Sequence, residues 1–149
     1  HENGCDIAFP AEPVGSGSLI SQEMFEEWVI PSLKKLKEKL PFYKYFYAHV
    51  CGASGNRVAA LRECGVNVFS VDYLVDFDKA AGEKMVMMGN INPAGTLLTG
   101  TPSEVYKEAC ERIKIANGHS HILAPGCDLG ADTPLENVKM LSKACKDMA

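Results

Sequence analysis

The sequence has 149 residues, of which 46% are hydrophobic and 23% are charged, a composition typical of one folded domain rather than of a disordered or fibrous chain. Its 15 Lys and Arg residues against 19 Asp and Glu residues give a net charge of −4, which excludes the basic surface of a typical nucleic-acid binder. No apolar stretch approaches the roughly 20 residues that span a bilayer, and the first residues do not resemble a signal peptide. We therefore predict a cytoplasmic protein with no nucleic-acid partner and no membrane contact.

Short β-rich runs alternate with helical patterns along the whole chain. The strands that periodicity predicts are Cys5–Phe9, Tyr45–Val50, Val66–Val71, Met85–Met88 and His121–Ala124. The first three helices are predicted over Ser21–Leu40, Arg57–Glu63 and Asp76–Gly82. In the first helix, an apolar stripe that includes Phe25, Trp28 and Leu33 should face the core, and Pro31 should bend the helix.

Two further predicted helices begin with the same capping motif. Thr101-Pro102-Ser103-Glu104 and Thr133-Pro134-Leu135-Glu136 each place a Thr at the N-cap and a Pro at the first helical position. In both, a Glu three residues after the Thr can close a capping box. Strand, loop and helix thus repeat about five times without a hairpin signal, which predicts a parallel α/β fold.

Five strand–helix units fit two architectures. One is a small doubly wound open sheet, and the other is the last five-eighths of a (β/α)₈ barrel, which typically needs about 250 residues. Length alone favours the open sheet. In either case functional residues gather at the carboxyl ends of the strands.

His49, Cys51 and Cys127 are the candidate metal ligands at those strand ends. Because side chains alternate along a strand, His49 and Cys51 point to the same side, and Cys127 follows another predicted strand after Gly126. One imidazole and two thiolates suit Zn²⁺ and leave a fourth coordination position open. The residues alone also allow an ordinary structural explanation, in which the cysteines are small buried hydrophobes and the histidine bonds to backbone.

Asp72 and Asn90 also end predicted strands. Asp72 can orient a metal ligand, accept a proton or cap the following helix, and Asn90 can bind substrate or hold its own turn. The pair His119 and His121 precedes the last strand, so we expect it on the surface at the opposite end of the sheet. The remaining cysteines are predicted to be structural residues at apolar positions: Cys5, Cys64, Cys110 and Cys145.

Taken together, the strand-end peptides resemble the uroporphyrinogen decarboxylase superfamily. The peptides that carry the resemblance are Glu2-Asn3-Gly4-Cys5-Asp6, His49-Val50-Cys51-Gly52, Gly65-Val66-Asn67 leading to Asp72, Gly89-Asn90-Ile91-Asn92-Pro93, Gly100 to Val105, and Gly126-Cys127-Asp128 through Asn137. The His-x-Cys pair with the later Gly-Cys is similar to the zinc-dependent branch, the methylcobamide:coenzyme M methyltransferases. Uroporphyrinogen decarboxylases themselves lack this set of three residues.

The resemblance implies a fold, a cofactor and a reaction. Residues 1–149 would form about five βα units from the C-terminal portion of a (β/α)₈ TIM barrel, in place of the open sheet. His49, Cys51 and Cys127 would bind Zn²⁺, with Asp72 as a catalytic residue and Asn90 as a substrate-binding residue near the pocket. A small thiol such as coenzyme M would then receive a methyl group from a methyl-corrinoid carried by a partner corrinoid protein.

Two other functions stay open. One is the decarboxylation of a tetrapyrrole, and the other is a noncatalytic corrinoid- or tetrapyrrole-binding module. Because a partial barrel leaves its interior uncovered, we also expect either self-association or a requirement for a missing N-terminal half.

Overall fold

A computed structural model describes residues 2–81 and 85–149, apart from the side chain of residue 81. The strands are β1 Ile7–Ala8, β2 Tyr45–Val50, β3 Val68–Val71, β4 Val86–Ile91 and β5 His121–Pro125. The helices are α1 Gln22–Met24, α2 Ile30–Lys39, α3 Val58–Glu63, α4 Phe77–Ala81, α5 Pro102–Ala116 and α6 Leu135–Met148. Two π-helical segments, Phe25–Val29 and Pro93–Leu98, and two 3₁₀ turns, Pro13–Gly15 and Gly55–Arg57, complete the elements of these residues.

All five strands are parallel, and their order in the sheet is β1-β2-β3-β4-β5, the same as their order in the chain. A doubly wound sheet reverses its strand order at a switch point, whereas a (β/α)₈ barrel adds each new strand beside the last. The sequential order therefore confirms the predicted part of a TIM barrel and overturns the open sheet that length favoured.

The register of the strands separates the two faces of the sheet. His49, Ser70, Met88 and Ile122 are successive partners across β2, β3, β4 and β5, so their side chains share the concave face. Phe46 and Phe69, one residue out of phase, point to the helices.

Buried residues on the helical side form two core clusters. The larger lies between the sheet and the segments from α1 to α4, and it includes Phe25, Leu61 and Phe77. The smaller lies between β4, α5 and α6. The core therefore lies outside the sheet, while the concave face carries the exposed aromatic and aliphatic side chains Ile7, Phe9, Tyr45 and Ile122.

The first predicted helix is interrupted before Pro31. Proline lacks the N–H that an α-helix would use, and the turn ahead of it widens into the π-helical segment Phe25–Val29. Ser32 Oγ donates to the Trp28 carbonyl over 2.9 Å. The predicted apolar stripe is wrong at Trp28, which is 53% exposed, but it holds at Phe25 and Leu33, which are buried.

The two predicted capping boxes have different outcomes. At α5 the box is formed, since Thr101 Oγ1 accepts from the Glu104 N–H and Glu104 Oε2 accepts from the Thr101 N–H. At α6 the prediction is wrong, because the helix begins one residue later and extended Pro134 is its N-cap. Thr133 Oγ1 consequently stays buried without a hydrogen-bond partner.

Most other predicted elements occur with shifted ends. β1 is shorter than predicted and leaves Cys5 exposed, whereas β4 extends three residues beyond Met88. The predicted end of the third helix at Gly82 lies outside the described residues. No helix in the described part of the chain is long and apolar enough to cross a membrane.

Candidate metal centre

The three predicted ligands meet at the carboxyl ends of β2 and β5. Cys51 directly follows β2, and Cys127 comes two residues after β5 ends. His49 Nε2 lies 3.1 Å from Cys51 Sγ, and the two Sγ atoms are 3.7 Å apart. The ligand atoms of all three residues lie within 4.8 Å of one another. The fold thus brings together side chains that are up to 78 positions apart in the sequence.

Ser70 on the neighbouring strand orients His49. His49 Nδ1 lies 3.0 Å from the Ser70 carbonyl oxygen and 3.0 Å from Ser70 Oγ. Because a carbonyl oxygen can only accept, the imidazole hydrogen belongs on Nδ1, and Nε2 presents its lone pair toward Cys51. An imidazole held in this way is the usual form of a histidine that binds a metal.

Two glycines allow the backbone to bring the cysteines together. A Cβ on Gly126 would lie 2.4 Å from the backbone nitrogen of Tyr73, so only glycine fits between the ends of β3 and β5. Gly126 N–H also donates to the Ile91 carbonyl over 2.8 Å. Gly52 has a φ of +70°, and a Cβ there would lie 2.5 Å from Ser16 Oγ.

The local electrostatics disfavour ionisation of Cys51 when no cation is present. Burial is the largest cause of a pKa raised to about 11 for this thiol, and the hydrogen bond and charge of Cys127 contribute to the same shift. The negative charges of Asp72 and Asp128 contribute the rest of it. Both cysteines are free thiols, and their environment is one in which a divalent cation would gain two thiolate ligands.

The donor set fits a zinc ion. Zinc at about 2.3 Å from each of two sulfurs in a tetrahedral site requires those sulfurs to be about 3.8 Å apart, and the observed distance is 3.7 Å. A zinc-bound nitrogen and sulfur would be about 3.6 Å apart, whereas His49 Nε2 and Cys51 Sγ are 3.1 Å apart. The distance between His49 Nε2 and Cys51 Sγ would therefore have to widen by about 0.5 Å for both atoms to bind one zinc ion.

Asp72 and Asn90 lie beside this centre in different ways. Asp72 is buried at the end of β3, its Oδ1 accepts from the Leu74 N–H over 2.9 Å, and its charge reaches Cys51. Asn90 is 1% exposed and its Nδ2 donates to the carbonyls of Asp72 and Val75 over 3.0 Å each. Asn90 therefore holds the loop that carries Asp72, and neither of the two side chains lines the cavity over the metal ligands.

A cavity of about 360 Å³ opens above the ligands. The sequence assigned no site role to the residues that line it with them: Phe9, Ala11, Pro13, Ser70, Met88, Pro125 and Asp128. Two signals could have found some of them. Ser70 and Met88 fall in register with His49 once the strands are paired, and Asp128 directly follows Cys127.

The other histidines and cysteines lie away from the centre. His119 is exposed, and His121 lies on the helical side of the sheet, where its Nε2 donates to the Gly89 carbonyl over 2.7 Å. The expectation that both are surface residues is thus wrong for His121, which is half-buried. Cys64 is buried and Cys110 partly buried, as expected of structural residues, but Cys5 and Cys145 are exposed.

The fold and the site define a class of protein. The sequence profile of the uroporphyrinogen decarboxylase family matches residues 1–148, so the chain belongs to that family. This confirms the resemblance seen in the strand-end peptides.

Individual relatives come from two branches of the family, and the match to a methyltransferase covers more of this chain. The chain is 32% identical to the methylcobamide:CoM methyltransferase MtbA of Methanosarcina mazei, over 98% of this chain and 43% of that protein. It is 33% identical to a uroporphyrinogen decarboxylase of Novosphingobium aromaticivorans, over 86% of this chain and 38% of the relative. A solved structure of a methyltransferase from Methanosarcina mazei superposes with a TM-score of 0.87 at 30% identity, covering 99% of this chain and 43% of its own. The chain thus spans less than half the length of these relatives.

Proposed function

We propose that this chain forms part of a zinc-dependent methyltransferase that moves a methyl group from a methyl-corrinoid protein to a small thiol such as coenzyme M. The observation that carries the proposal is the meeting of one imidazole nitrogen and two thiol sulfurs at the carboxyl ends of the strands. The name of the relative MtbA, methylcobamide:CoM methyltransferase, supports the reaction class.

His49, Cys51 and Cys127 are the residues that would hold the zinc. Bound there, zinc would supply the positive charge that keeps an acceptor thiol in its nucleophilic thiolate form at neutral pH. Ser70 would fix the imidazole through the hydrogen bond at Nδ1. Only three protein ligands converge among the described residues, which leaves room for a substrate as the fourth.

The cavity above the ligands would bind and shield the thiol. Phe9, Met88 and Pro125 give it apolar walls, which exclude water from a nucleophile and so preserve its reactivity. In methyl transfer a sulfur–carbon bond forms as a cobalt–carbon bond breaks, and the electron pair of the broken bond stays on cobalt. The methyl donor must therefore approach this mouth, where we propose that the corrinoid protein docks.

Asp72 is the residue that we propose to take the proton of the acceptor thiol. Its carboxylate is buried and close enough for its charge to raise the pKa of Cys51. We propose that Asn90 acts on the substrate indirectly, through its two hydrogen bonds to the loop that carries Asp72.

The reaction can be tested directly. The zinc-loaded chain is mixed with methylcobalamin and 2-mercaptoethanesulfonate, and loss of the methylcobalamin spectrum is followed. We expect demethylation that disappears in Cys51→Ser and Cys127→Ser. A chain that binds zinc at these residues and leaves methylcobalamin unchanged would contradict catalysis. If that chain still binds cobalamin, the noncatalytic binding module would be the better description.

A tetrapyrrole decarboxylase is the second candidate, because one relative that is 33% identical carries that name. This activity gives no role to two cysteines beside a histidine. The two reactions differ in their response to a chelator, since only methyl transfer should be lost when the metal is removed. Consumption of uroporphyrinogen by a chelator-treated chain would favour the decarboxylase.

We also expect the concave face to be covered in the working protein. Phe9 and Tyr45 on this face are 47% and 45% exposed, and such apolar exposure is usually buried against another surface. The cover would be a second copy of the chain or further strands of a barrel. Sedimentation tests the first of these, and a dilute, well-folded monomer would contradict self-association.

A further inference from the structure

Arg57 is a completely buried arginine, six residues after the metal ligand Cys51 in the sequence. It closes the 3₁₀ turn Gly55–Arg57 that leads into α3. A buried guanidinium is costly unless its N–H groups find acceptors, so the acceptors of Arg57 identify what this side chain stabilises. The methyl transfer proposed above gives Arg57 no chemical step, and Arg57 is not among the described residues that line the cavity.

The guanidinium of Arg57 binds the segment that follows β1, residues 9–21, which we call the first loop. Arg57 Nε donates to the Gly15 carbonyl over 3.2 Å, and Nη2 donates to the Ile20 carbonyl over 2.7 Å. Nη1 donates to Oε1 of Gln22, the first residue after the loop. The Phe25 ring lies under the guanidinium, with 4.8 Å between Cζ and the ring centroid. Three acceptors in different directions require the planar fork of an arginine, which a lysine cannot replace.

The first loop interlocks with the turn that follows Cys51. A Cβ on Gly52 would lie 2.5 Å from Ser16 Oγ, and a Cβ on Gly17 would lie 2.1 Å from the carbonyl oxygen of Ala53. The two backbones are therefore in direct contact, with no space for a side chain at either glycine. A shift of the first loop would release the turn, and with it the backbone of Cys51.

The same loop also pairs with the backbone of His49. The His49 N–H donates to the Pro10 carbonyl over 3.1 Å, and the His49 carbonyl accepts from the Glu12 N–H over 2.8 Å. The first loop thus contacts the chain on both sides of the His49 and Cys51 pair.

We propose that Arg57 is a positioning residue of the metal centre. By holding the first loop against the turn after Cys51, it fixes the Cys51 sulfur at the 3.7 Å from the Cys127 sulfur that suits one zinc ion. The inference rests on the proposed function, because it concerns the same metal ligands. Partners that orient a metal ligand commonly contribute about 10–100-fold to metal affinity, and we expect the lower end here because the loop lies between Arg57 and the ligand.

Arg57→Ala tests the proposal through the metal and not through turnover. We expect about tenfold weaker zinc binding in competition against a chromogenic chelator, for protein that circular dichroism shows to be folded. Cobalt(II) in the same site should show altered thiolate bands, because its spectrum depends on the arrangement of its ligands.

Asn137→Ala is the matched control for a loss of stability alone. Asn137 is also buried, and its Nδ2 donates to the carbonyls of Leu97 and Gly100 over 2.9 and 2.8 Å. It lies in α6 and is not among the described residues that line the cavity. Its removal should leave zinc affinity within about twofold of the parent and the cobalt spectrum unchanged.

Chemical rescue separates the shape of the guanidinium from its charge. Millimolar guanidinium ion should restore zinc affinity and the cobalt spectrum in Arg57→Ala, and it should change neither in the parent or in Asn137→Ala. Arg57→Lys keeps the charge without the planar fork, so it should bind zinc as weakly as Arg57→Ala. Parent affinity in Arg57→Lys would contradict the role of the three directed hydrogen bonds.

Gln22→Ala decides the proposal if Arg57→Ala does not fold. It removes one acceptor of the guanidinium from a half-buried position, and we expect about threefold weaker zinc binding. Glu23→Ala, at the exposed next residue, is its matched control and should bind zinc like the parent. Equal effects of the two substitutions would contradict the proposal.

The failures of the two proposals differ. A folded Arg57→Ala with the zinc affinity and cobalt spectrum of the parent overturns the positioning role, while the metal site stands. If Cys51→Ser and Cys127→Ser themselves retain the zinc affinity of the parent, the proposed function fails and this inference fails with it.

Discussion

Two pairs of residues with the same spacing have opposite surroundings in this molecule. His49 and Cys51 lie at the end of β2 or just after it, and His119 and His121 lie just before β5 and at its start. The first pair meets Cys127 at the carboxyl ends of the strands, with ligand atoms within 4.8 Å. In the second pair His119 is exposed, whereas His121 lies against the Phe77 ring with 4.8 Å between ring centroids.

The difference shows that spacing along one strand does not make a site. His49 has a carbonyl partner on one ring nitrogen and two sulfurs near the other, so its free lone pair faces donors. His121 also has a carbonyl partner, but it shares its side of the sheet with apolar side chains. A third donor from a distant segment, at the end of the sheet where loops converge, is what distinguishes the first pair.

Removal of one sulfur is expected to have the largest effect. Cys51→Ser or Cys127→Ser should weaken zinc binding by more than about 100-fold, since loss of a mere hydrogen-bond partner of a ligand already costs 10–100-fold. Cys145→Ser, on the exposed face of α6, is the matched control and should retain one zinc per chain. Metal analysis after dialysis measures the stoichiometry. Full zinc content in Cys127→Ser would contradict the site.

The two histidine pairs can be compared directly by matched substitutions. His49→Gln should lower zinc affinity by about 10–100-fold, because glutamine replaces the imidazole nitrogen with a weak donor. His119→Gln should change the affinity by less than about twofold, since His119 lies at the other end of the sheet. Competition against a chromogenic chelator gives both values. Equal losses in the two variants would show that the pairs do not differ as the geometry indicates.

The sequence predicts the order and type of most elements, but not every point at which a helix begins or is interrupted. Tyr45–Val50 is predicted to the residue because a run of β-formers ends at Gly52, which has a positive φ. The π-helical segment before Pro31 and the late start of α6 were not predictable, because both depend on how the helix meets its neighbours. Local periodicity does not contain the strand order, so the barrel was predicted only from the family resemblance, and the observed strand order confirms it.

The sequence predicts which residues form the site, but not the contacts that position and surround them. The identity of His49, Cys51 and Cys127 follows from strand ends and from family resemblance. The orientation of His49 by Ser70 depends on pairing between β2 and β3, and the position of Asp128 at the mouth depends on the path of a loop. The close approach of Gly126 to Tyr73 involves two strand ends that are distant in sequence.

A substitution at Gly126 keeps all three metal ligands and is expected to have a smaller effect than the loss of a ligand. In Gly126→Ala the added Cβ would lie 2.4 Å from the Tyr73 nitrogen and 2.8 Å from its Cα, so Cys127 or the β3 loop must shift. We expect a loss of about 1–3 kcal/mol in the free energy of unfolding and roughly tenfold weaker zinc binding.

Gly130 in the same loop is the matched control for this clash. A Cβ there would have its nearest neighbour at 3.7 Å, an ordinary contact, so Gly130→Ala should change neither quantity appreciably. Urea unfolding and chelator competition measure the two effects. If Gly126→Ala behaves like Gly130→Ala, close packing at the end of β5 does not position Cys127.

The smallest expected effect concerns His119 and His121, the pair that forms no metal site. Burial lowers the pKa of His121 from its usual value, although the bond to the Gly89 carbonyl opposes the shift. Just below pH 6.5, at about the usual pKa of histidine, the unfolded chain therefore binds a proton at His121, whereas the imidazole of the folded chain stays neutral. Stability should fall as the pH drops from about 6.5 to the lower folded pKa, and this loss should stop below it. His121→Gln should remove that part of the slope in urea unfolding measured with a chelator present, while His119→Gln should retain it. A slope that follows His119 instead would reverse the assignment of which histidine is buried.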